Sequence, residues 1–291
     1  MSKFLFEFEM LEACPVCESR VMVPNGRISW LENDFWYVVC PGCGLKYMNP
    51  RPTTQSYRDF YRDYFWQQKI RNAGFREAGQ TWQGKPQEWH NEEPWKPEDG
   101  RKIFMDKFRK VRVDAISGVL QKCINLGKDS LILEVGCGFP ATLEALRDKY
   151  DAQVYAIEPS EDARQIIGEK NIELLGSYAE ELRDLAAGDL RFDAIIFSHV
   201  LENATDPLQV IRWANSCLSA NGVIYIQTPN LLVFDQMNPY HPFIFSRNSL
   251  RVLIEKAGLV YEPVSQPIDK MLTVICSKKR QSNWRINPDG K

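Results

Sequence analysis

The sequence predicts an α/β fold: a doubly wound, mostly parallel seven-stranded sheet, preceded by a small cysteine-rich ribbon and a helical and loop segment. Three observations predict it. From residue 131 to residue 278 short apolar runs alternate with helical patterns, the arrangement of βαβ units with right-handed crossovers. The first run, Leu131-Ile132-Leu133-Glu134-Val135, turns straight into Gly136-Cys137-Gly138 and then a helix, which sets a glycine turn at a strand's carboxyl end. Four of the eight cysteines lie together between residues 14 and 43.

With 291 residues, the chain is long enough for a core of ordinary size plus an appendage. A formal net charge of −2 supplies no overall field for polyanions, so bulk nucleic-acid binding is not expected. No apolar run approaches the roughly eighteen residues that span a bilayer. The opening Met1-Ser2-Lys3-Phe4-Leu5-Phe6-Glu7-Phe8-Glu9 carries acids where a signal peptide needs an apolar core. Together these point to a cytoplasmic protein. Cys123, Cys137, Cys217 and Cys276 are scattered through apolar segments and read as reduced core thiols.

Residues 1–50 form the ribbon. Cys14-Pro15-Val16-Cys17 and Cys40-Pro41-Gly42-Cys43 are two CxxC knuckles with twenty-two residues between them. Each knuckle points two thiolates the same way, and two facing knuckles make a tetrahedral sulfur site with bonds of about 2.3 Å. An all-cysteine site without an open position is structural, which favours zinc, with rubredoxin-like iron as the alternative. Between the knuckles, Ile28, Trp30, Phe35, Tyr37 and Val39 read as strands of a ribbon too small to hold a core without its metal.

Residues 51–126 read as a helical and loop region, a lid or linker. Aromatics at 57, 60, 61, 64 and 65 recur at i, i+3, i+4, giving a helix with a ring-lined face. One reading packs that face into a core; the other makes Tyr57, Tyr61 and Tyr64 part of a lid that touches substrate. Residues 70–100 show no periodicity, and Trp82, Trp89 and Trp95 argue for partial burial of a segment that orders over the site or links its neighbours. Arg101, Lys102, Lys107, Arg109, Lys110 and Arg112 then place six bases within twelve residues of a helix whose Ile103, Phe104, Phe108, Val111 and Ile116 are expected to face inward. That run is either a solvated face or a grip on a phosphate-bearing substrate.

Residues 127–291 carry the sheet. Strands are expected near 131–135, 153–157, 172–175, 192–197, 222–228, 259–264 and 270–278, with helices near 140–149, 161–168, 178–185, 207–219 and 246–257. Ligands in such sheets bind beyond the carboxyl ends of the strands. That rule nominates Glu134, Gly136, Cys137 and Gly138; Glu158, Pro159 and Ser160; Ser177, Tyr178 and Ala179; Ser198, His199 and Asn203; and the loop holding Asn238, Tyr240 and His241. The GCG turn followed by Phe139-Pro140 is not the GxGxxG of dinucleotide sites. Glu134 would repel a pyrophosphate but suits a cationic amino acid. Glu158, about twenty residues past Gly138, stands where an acid accepts both hydroxyls of a ribose. An amino-acid end plus a ribose end describes S-adenosylmethionine.

From residue 131 onward these features resemble motif I and the acidic loop of the Rossmann-like, class I methyltransferases, which implies that cofactor. The stretch Cys40-Pro41-Gly42-Cys43-Gly44-Leu45-Lys46-Tyr47-Met48-Asn49-Pro50-Arg51-Pro52, with the aromatic helix behind it, resembles bacterial methyltransferases that carry an N-terminal zinc ribbon. Several of those are associated with sugar and surface-polysaccharide biosynthesis. The run from Ser198-His199-Val200-Leu201-Glu202-Asn203 to Asp206-Pro207 is similar to the family's HVLEHxxDP motif, with Asn203 replacing the second histidine. The resemblance sets His199 against the methyl-transfer cleft; bracing the loop is its other reading. The segment from Phe234-Asp235 through His241 to Phe245-Ser246 is similar to the active-site loop of nucleotide-sugar C-methyltransferases, with Asn238 where those have a tyrosine.

The resemblance thus implies methyl transfer to a small polar acceptor, a sugar or nucleotide-sugar hydroxyl. His241 is the candidate base and His199 a second catalytic residue, with Asn203, Asn238 and Tyr240 beside the substrate. Nucleotide-sugar C-methylation is one alternative, and RNA methylation with the ribbon gripping the nucleic acid is another. Against RNA stand the near-neutral charge and a ribbon whose bases are Arg20, Arg27 and Lys46. A catalytically silent module that binds the cofactor or a partner is the reading from a different class.

Overall fold

The computed structural model describes residues 4–30, 32–61, 98–233 and 241–279, with the backbone alone for 98–109 and for residue 162. Tyr64, Asn238, Tyr240, the three loop tryptophans and the side chains of Arg101, Lys102, Lys107 and Arg109 lie outside the described residues.

The elements follow in order: β1 Phe8–Glu9, β2 Val23–Trp30, β3 Asn33–Val39, β4 Lys46–Met48, β5 Arg51–Pro52, α1 Thr54–Phe60 and α2 Glu98–Cys123. Then come β6 Leu131–Val135, α3 Ala141–Tyr150, β7 Gln153–Ile157, α4 Glu161–Glu169, β8 Glu173–Gly176, α5 Leu182–Ala186 and β9 Phe192–Ser198. The chain continues through α6 Pro207–Cys217, β10 Leu218–Pro229, β11 Phe243–Ile244, α7 Arg247–Lys256, β12 Val260–Pro263 and β13 Met271–Ser277. Among the described residues no helix is long and apolar enough to cross a membrane.

Seven strands form one sheet in the order β12-β13-β10-β9-β6-β7-β8. Strands β8, β7, β6, β9 and β10 run parallel, and β13 inserts antiparallel between β10 and β12. The central strands are apolar on both faces because helices cover both. Leu133, Ile195, Phe197, Ile224 and Ile226 pack on the side of α6 and α7, while Ile132, Ala156, Ile196 and Tyr225 face α2 and α3. Local chemistry starts the helices where the pattern predicts. Ser160 caps α4, Asp206 caps α6 with Pro207 in its first turn, and Ser246 and Ser249 form a reciprocal cap on α7. Strand β10 begins before its expected start, at Leu218, through an irregularity between Leu218 and Val223. Gly222 permits it, since a Cβ there would lie 2.8 Å from the Phe192 carbonyl oxygen.

The ribbon is not closed within itself. Its sheet has the order β11-β4-β3-β2, so one of its two edge strands comes from the loop after β10. Phe243 pairs with Tyr47 and Ile244 with Lys46, and the Met48 N–H donates to the Pro242 carbonyl at 2.9 Å. The Asn248 amide donates to the Cys43 carbonyl at 3.0 Å. Cys14, Val16, Cys40, Cys43, Leu45 and Tyr47 share one continuous apolar core with β9, β10, α6 and α7. A separate aromatic core of Phe6, Trp30, Phe35, Tyr37, Tyr57 and Phe60 fills the other side of the ribbon. Each of these rings contributes on the order of 2 kcal/mol by leaving water.

Candidate active site

The topology switches between β6 and β9, and their carboxyl ends carry the densest set of nominated residues. Gly136 has φ +64°, and a Cβ there would fall 2.5 Å from Val200 Cγ2, so no other residue fits. Val200 belongs to the loop after β9, and this close approach seats that loop on the glycine turn. Gly138 has φ +58° with open space where its Cβ would lie. The side chain of Cys137, by contrast, is buried in the core beneath the turn, so only its backbone is available to a ligand.

Glu134 is wholly buried. Its Oε1 accepts from Arg112 Nη2 at 2.6 Å, while Oε2 has no hydrogen-bond partner among the described residues. Burial pushes its carboxyl up to about 6, against the pull of Arg112. Arg112 corrects the sequence-based reading of its helix. Val111, expected to face inward, is 62% exposed, and Arg112 occupies the inward stripe with Ile116 and Leu120. The spacing i, i+4, i+8 contains that signal, but a run of six bases reads first as a solvated face.

Glu158 is 2% exposed and tied to the backbone. Oε2 accepts from the Gly138 N–H at 2.7 Å and Oε1 from the Ser160 N–H at 2.8 Å. Burial raises its pKa, and those two N–H bonds oppose the rise. Each oxygen keeps a lone pair for a further donor. Pro159 is half-buried, and the Ser160 hydroxyl is engaged in capping α4. The next loop is more committed: Ser177 Oγ accepts from Arg164, Ala179 is buried, and the Tyr178 ring lies 4.8 Å from the Arg58 guanidinium.

The end of β9 holds the titratable cluster. Ser198 is 4% exposed and its hydroxyl lacks a hydrogen-bond partner among the described residues. His199 has φ +60°, a costly conformation for a bulky residue. Two bonds hold it there: its N–H donates to the Gln227 carbonyl at 2.9 Å, and its carbonyl accepts from Asn203 Nδ2 at 3.2 Å. His199 Nδ1 lies 3.3 Å from Oε1 of Glu202, a fully buried carboxylate. Burial pushes Glu202 up, yet contact with His199 and the charge of His241 outweigh it and leave the carboxyl below its ordinary range. His241 is half-buried, and burial holds its imidazole below the usual value against the charge of Glu202. Glu202 and the Tyr37 hydroxyl, which donates to the His241 carbonyl at 3.1 Å, belong to this site although sequence reasoning left both out. The quoted motif contains Glu202 but gives no sign that it is buried.

Tyr57 does not reach the cleft. It is 3% exposed, its ring packs on Phe6 and Tyr61, and its hydroxyl meets Met48 sulfur at 3.5 Å. The core reading of the aromatic face therefore holds at Tyr57, because the N-terminal segment supplies Phe6 to bury it. Tyr61, stacked on Tyr57, ends α1 half-buried.

The four ribbon cysteines come together. All four sulfurs lie within 4.8 Å of one another, with Cys14 to Cys43 at 3.7 Å and Cys17 to Cys40 at 3.4 Å. A tetrahedral site with bonds of about 2.3 Å has edges of about 3.8 Å, and the four sulfurs cluster at spacings near that value. Both knuckles turn alike: Glu18 N–H donates to the Cys14 carbonyl and Gly44 N–H to the Cys40 carbonyl, with Glu18 and Gly44 both at positive φ.

Comparison with known proteins decides the family. A family model described as "Methyltransferase domain" matches residues 105–264, over half of the chain. The chain belongs to the methyltransferase-domain family. It is a class I, S-adenosylmethionine-dependent methyltransferase. The curated proteins give no match. Among solved structures, the methyltransferase complex that contains the Haloferax volcanii Trm112 methyltransferase activator is similar at 15% identity and TM-score 0.50, covering 62% of this chain and 95% of that one. A SAM-dependent methyltransferase from Archaeoglobus fulgidus is similar at 17% identity and TM-score 0.48, covering 60% and 98%. Another, from Thermotoga maritima, is similar at 17% identity and TM-score 0.45, covering 62% and 95%. The first of these likenesses is one of fold.

Proposed function

We propose that this methyltransferase acts on a hydroxyl of a small polar acceptor, a sugar or nucleotide sugar, and that its ribbon is built on a structural zinc ion. The observation that carries the reading is the placement of two histidines from separate strand ends, His199 and His241, around one buried carboxylate beside the glycine turn. In this reading residues 1–50 are the zinc ribbon, 51–126 the lid or linker, and 127–291 the domain that holds cofactor and acceptor.

Bound S-adenosylmethionine supplies a methyl group on a sulfonium, already activated for in-line displacement. The chain contributes binding and position. Glu134, with its partnerless Oε2 and its Arg112 partner, suits the amino-acid end, where an ammonium meets a carboxylate. Glu158, anchored by Gly138 and Ser160, suits a pair of hydroxyls, and the backbone from Gly136 to Gly138 lies between the two acids. Holding an acceptor oxygen about 3–3.5 Å from the reacting carbon supplies most of the acceleration. A histidine that takes the acceptor's proton adds a factor on the order of 10² to 10⁴. His241 suits that task, since burial favours its neutral form, and His199, which meets the same carboxylate, is the second candidate.

Against RNA stand the burial of Lys46 and the covering of the β4 edge of the ribbon by β11.

Two measurements test the proposal. Calorimetry with S-adenosylmethionine and S-adenosylhomocysteine should show binding to the metal-replete protein. A panel of sugars and nucleotide sugars with isotopically labelled methyl donor should then yield an O-methylated product. Label transfer to RNA alone, or to a sugar carbon, would replace the hydroxyl reading.

A further inference from the structure

We infer that Glu202 is the positioning carboxylate of this site, holding the His199 imidazole in the tautomer that leaves Nε2 free to take the acceptor's proton. The inference rests on the methyl-transfer reading above, gives its buried carboxylate a role, and takes His199, the second candidate, as the group that receives the proton.

Glu202 lies in the short 3₁₀ turn Leu201–Asn203 directly after β9, and it is completely buried. Its Oε1 lies 3.3 Å from His199 Nδ1. A fully buried carboxylate whose partner is a single imidazole edge marks a place where negative charge has a task. His199 is strained at φ +60° and bonded on both sides of its peptide, while its side chain is 41% exposed. The backbone thus accepts an unfavourable conformation that sets the Nδ1 edge of the ring against Glu202 while the side chain stays partly exposed. A carboxylate at Nδ1 stabilises the Nδ1–H form, which makes Nε2 the acceptor nitrogen.

Among the described residues, the charged groups that act on one another in the cluster are His199, Glu202 and His241. His199 and Glu202 come from the β9 loop, and His241 faces the same carboxylate from the segment entering β11. On the neighbouring elements, Arg51 is engaged by Glu9 and the Thr205 carbonyl, and Glu180 by Thr205. Glu202 therefore supplies the negative charge that both imidazoles meet.

As the acceptor oxygen forms its bond to the methyl carbon, the carbon–sulfur bond breaks and its electron pair returns to sulfur. The acceptor's O–H proton moves to His199 Nε2, and the resulting imidazolium is balanced across Nδ1–H by Glu202. The proton then leaves to water.

The test needs no known acceptor. In ¹⁵N-labelled full-length protein above the imidazole titration, His199 should be mainly the Nδ1–H tautomer. Glu202→Gln should reverse that preference and move the His241 titration to lower pH, because the charge opposing its burial is gone. Glu202→Asp should keep the wild-type tautomer. Once an acceptor is in hand, Glu202→Gln should lower kcat on the order of a hundredfold and leave S-adenosylmethionine affinity unchanged. An unchanged tautomer and unchanged His241 titration in folded Glu202→Gln would overturn the assignment. If Glu202→Gln does not fold, the wild-type tautomer decides alone, with the Nε2–H form counting against it. Absence of cofactor binding by the wild-type chain would instead overturn the methyl-transfer reading.

Discussion

The Tyr37 hydroxyl of the ribbon donates to the main-chain carbonyl of His241 at 3.1 Å, across 204 residues of sequence. That bond and the pairing of β4 with β11 join the cysteine site to the candidate catalytic loop. With zinc in the cysteine site, chelation should release β4 and with it the segment that carries His241. Turnover is then expected to fall before cofactor affinity does, because Gly136 to Gly138 and Glu158 stand on the sheet and not on the ribbon. Metal content, turnover and calorimetric affinity, followed together during titration with chelator, check this order; parallel loss of affinity and turnover would contradict it.

The two glycines of the turn should respond differently. Gly136→Ala meets Val200 Cγ2 at 2.5 Å in addition to its positive φ, so it should displace the loop after β9 and abolish cofactor binding. Gly138→Ala meets open space and should cost only about 1 kcal/mol for its left-handed backbone. Thermal melts and cofactor titrations of the two variants side by side give the comparison.

Glu134 makes stability depend on pH. Its folded carboxyl is raised from 4.5 to about 6, so the native state binds this proton more tightly than the unfolded chain. The sign is that of a raised acid: stability falls as pH rises from 4.5 through 6, by about 2 kcal/mol in all. Glu134→Gln removes that titration. Relative to wild type, the variant should therefore gain stability between pH 4.5 and 7 while losing affinity for the cofactor. Denaturant melts at the two pH values measure the difference, and a gap independent of pH would refute the assignment.

Glu158→Ala and His241→Ala should separate binding from chemistry. The first removes the acceptor of the Gly138 and Ser160 N–H groups as well as the proposed partner of the ribose. Cofactor affinity should drop on the order of a hundredfold, the equivalent of about 3 kcal/mol. The second should leave affinity and fold intact and lower turnover at saturating cofactor.

Read alone, the chain already determines most of the frame. Strands and helices from residue 131 to 277 stand within a few residues of their expected places, because apolar period, caps and glycines act within one element and its turn. The two cysteine knuckles are legible for the same reason, since each is a turn of five residues with its own internal bonds. Tertiary structure decided which faces meet. A periodic pattern says that Tyr57 has a buried side but not that Phe6 covers it, and it cannot tell a solvated Arg112 from one paired with Glu134. Nor can spacing disclose that the ribbon's last strand arrives from residues 243 and 244, or that Glu202 is sealed behind His199. Those contacts join segments far apart in the chain or depend on what closes over them, and their energies exist only once packing has brought the partners together.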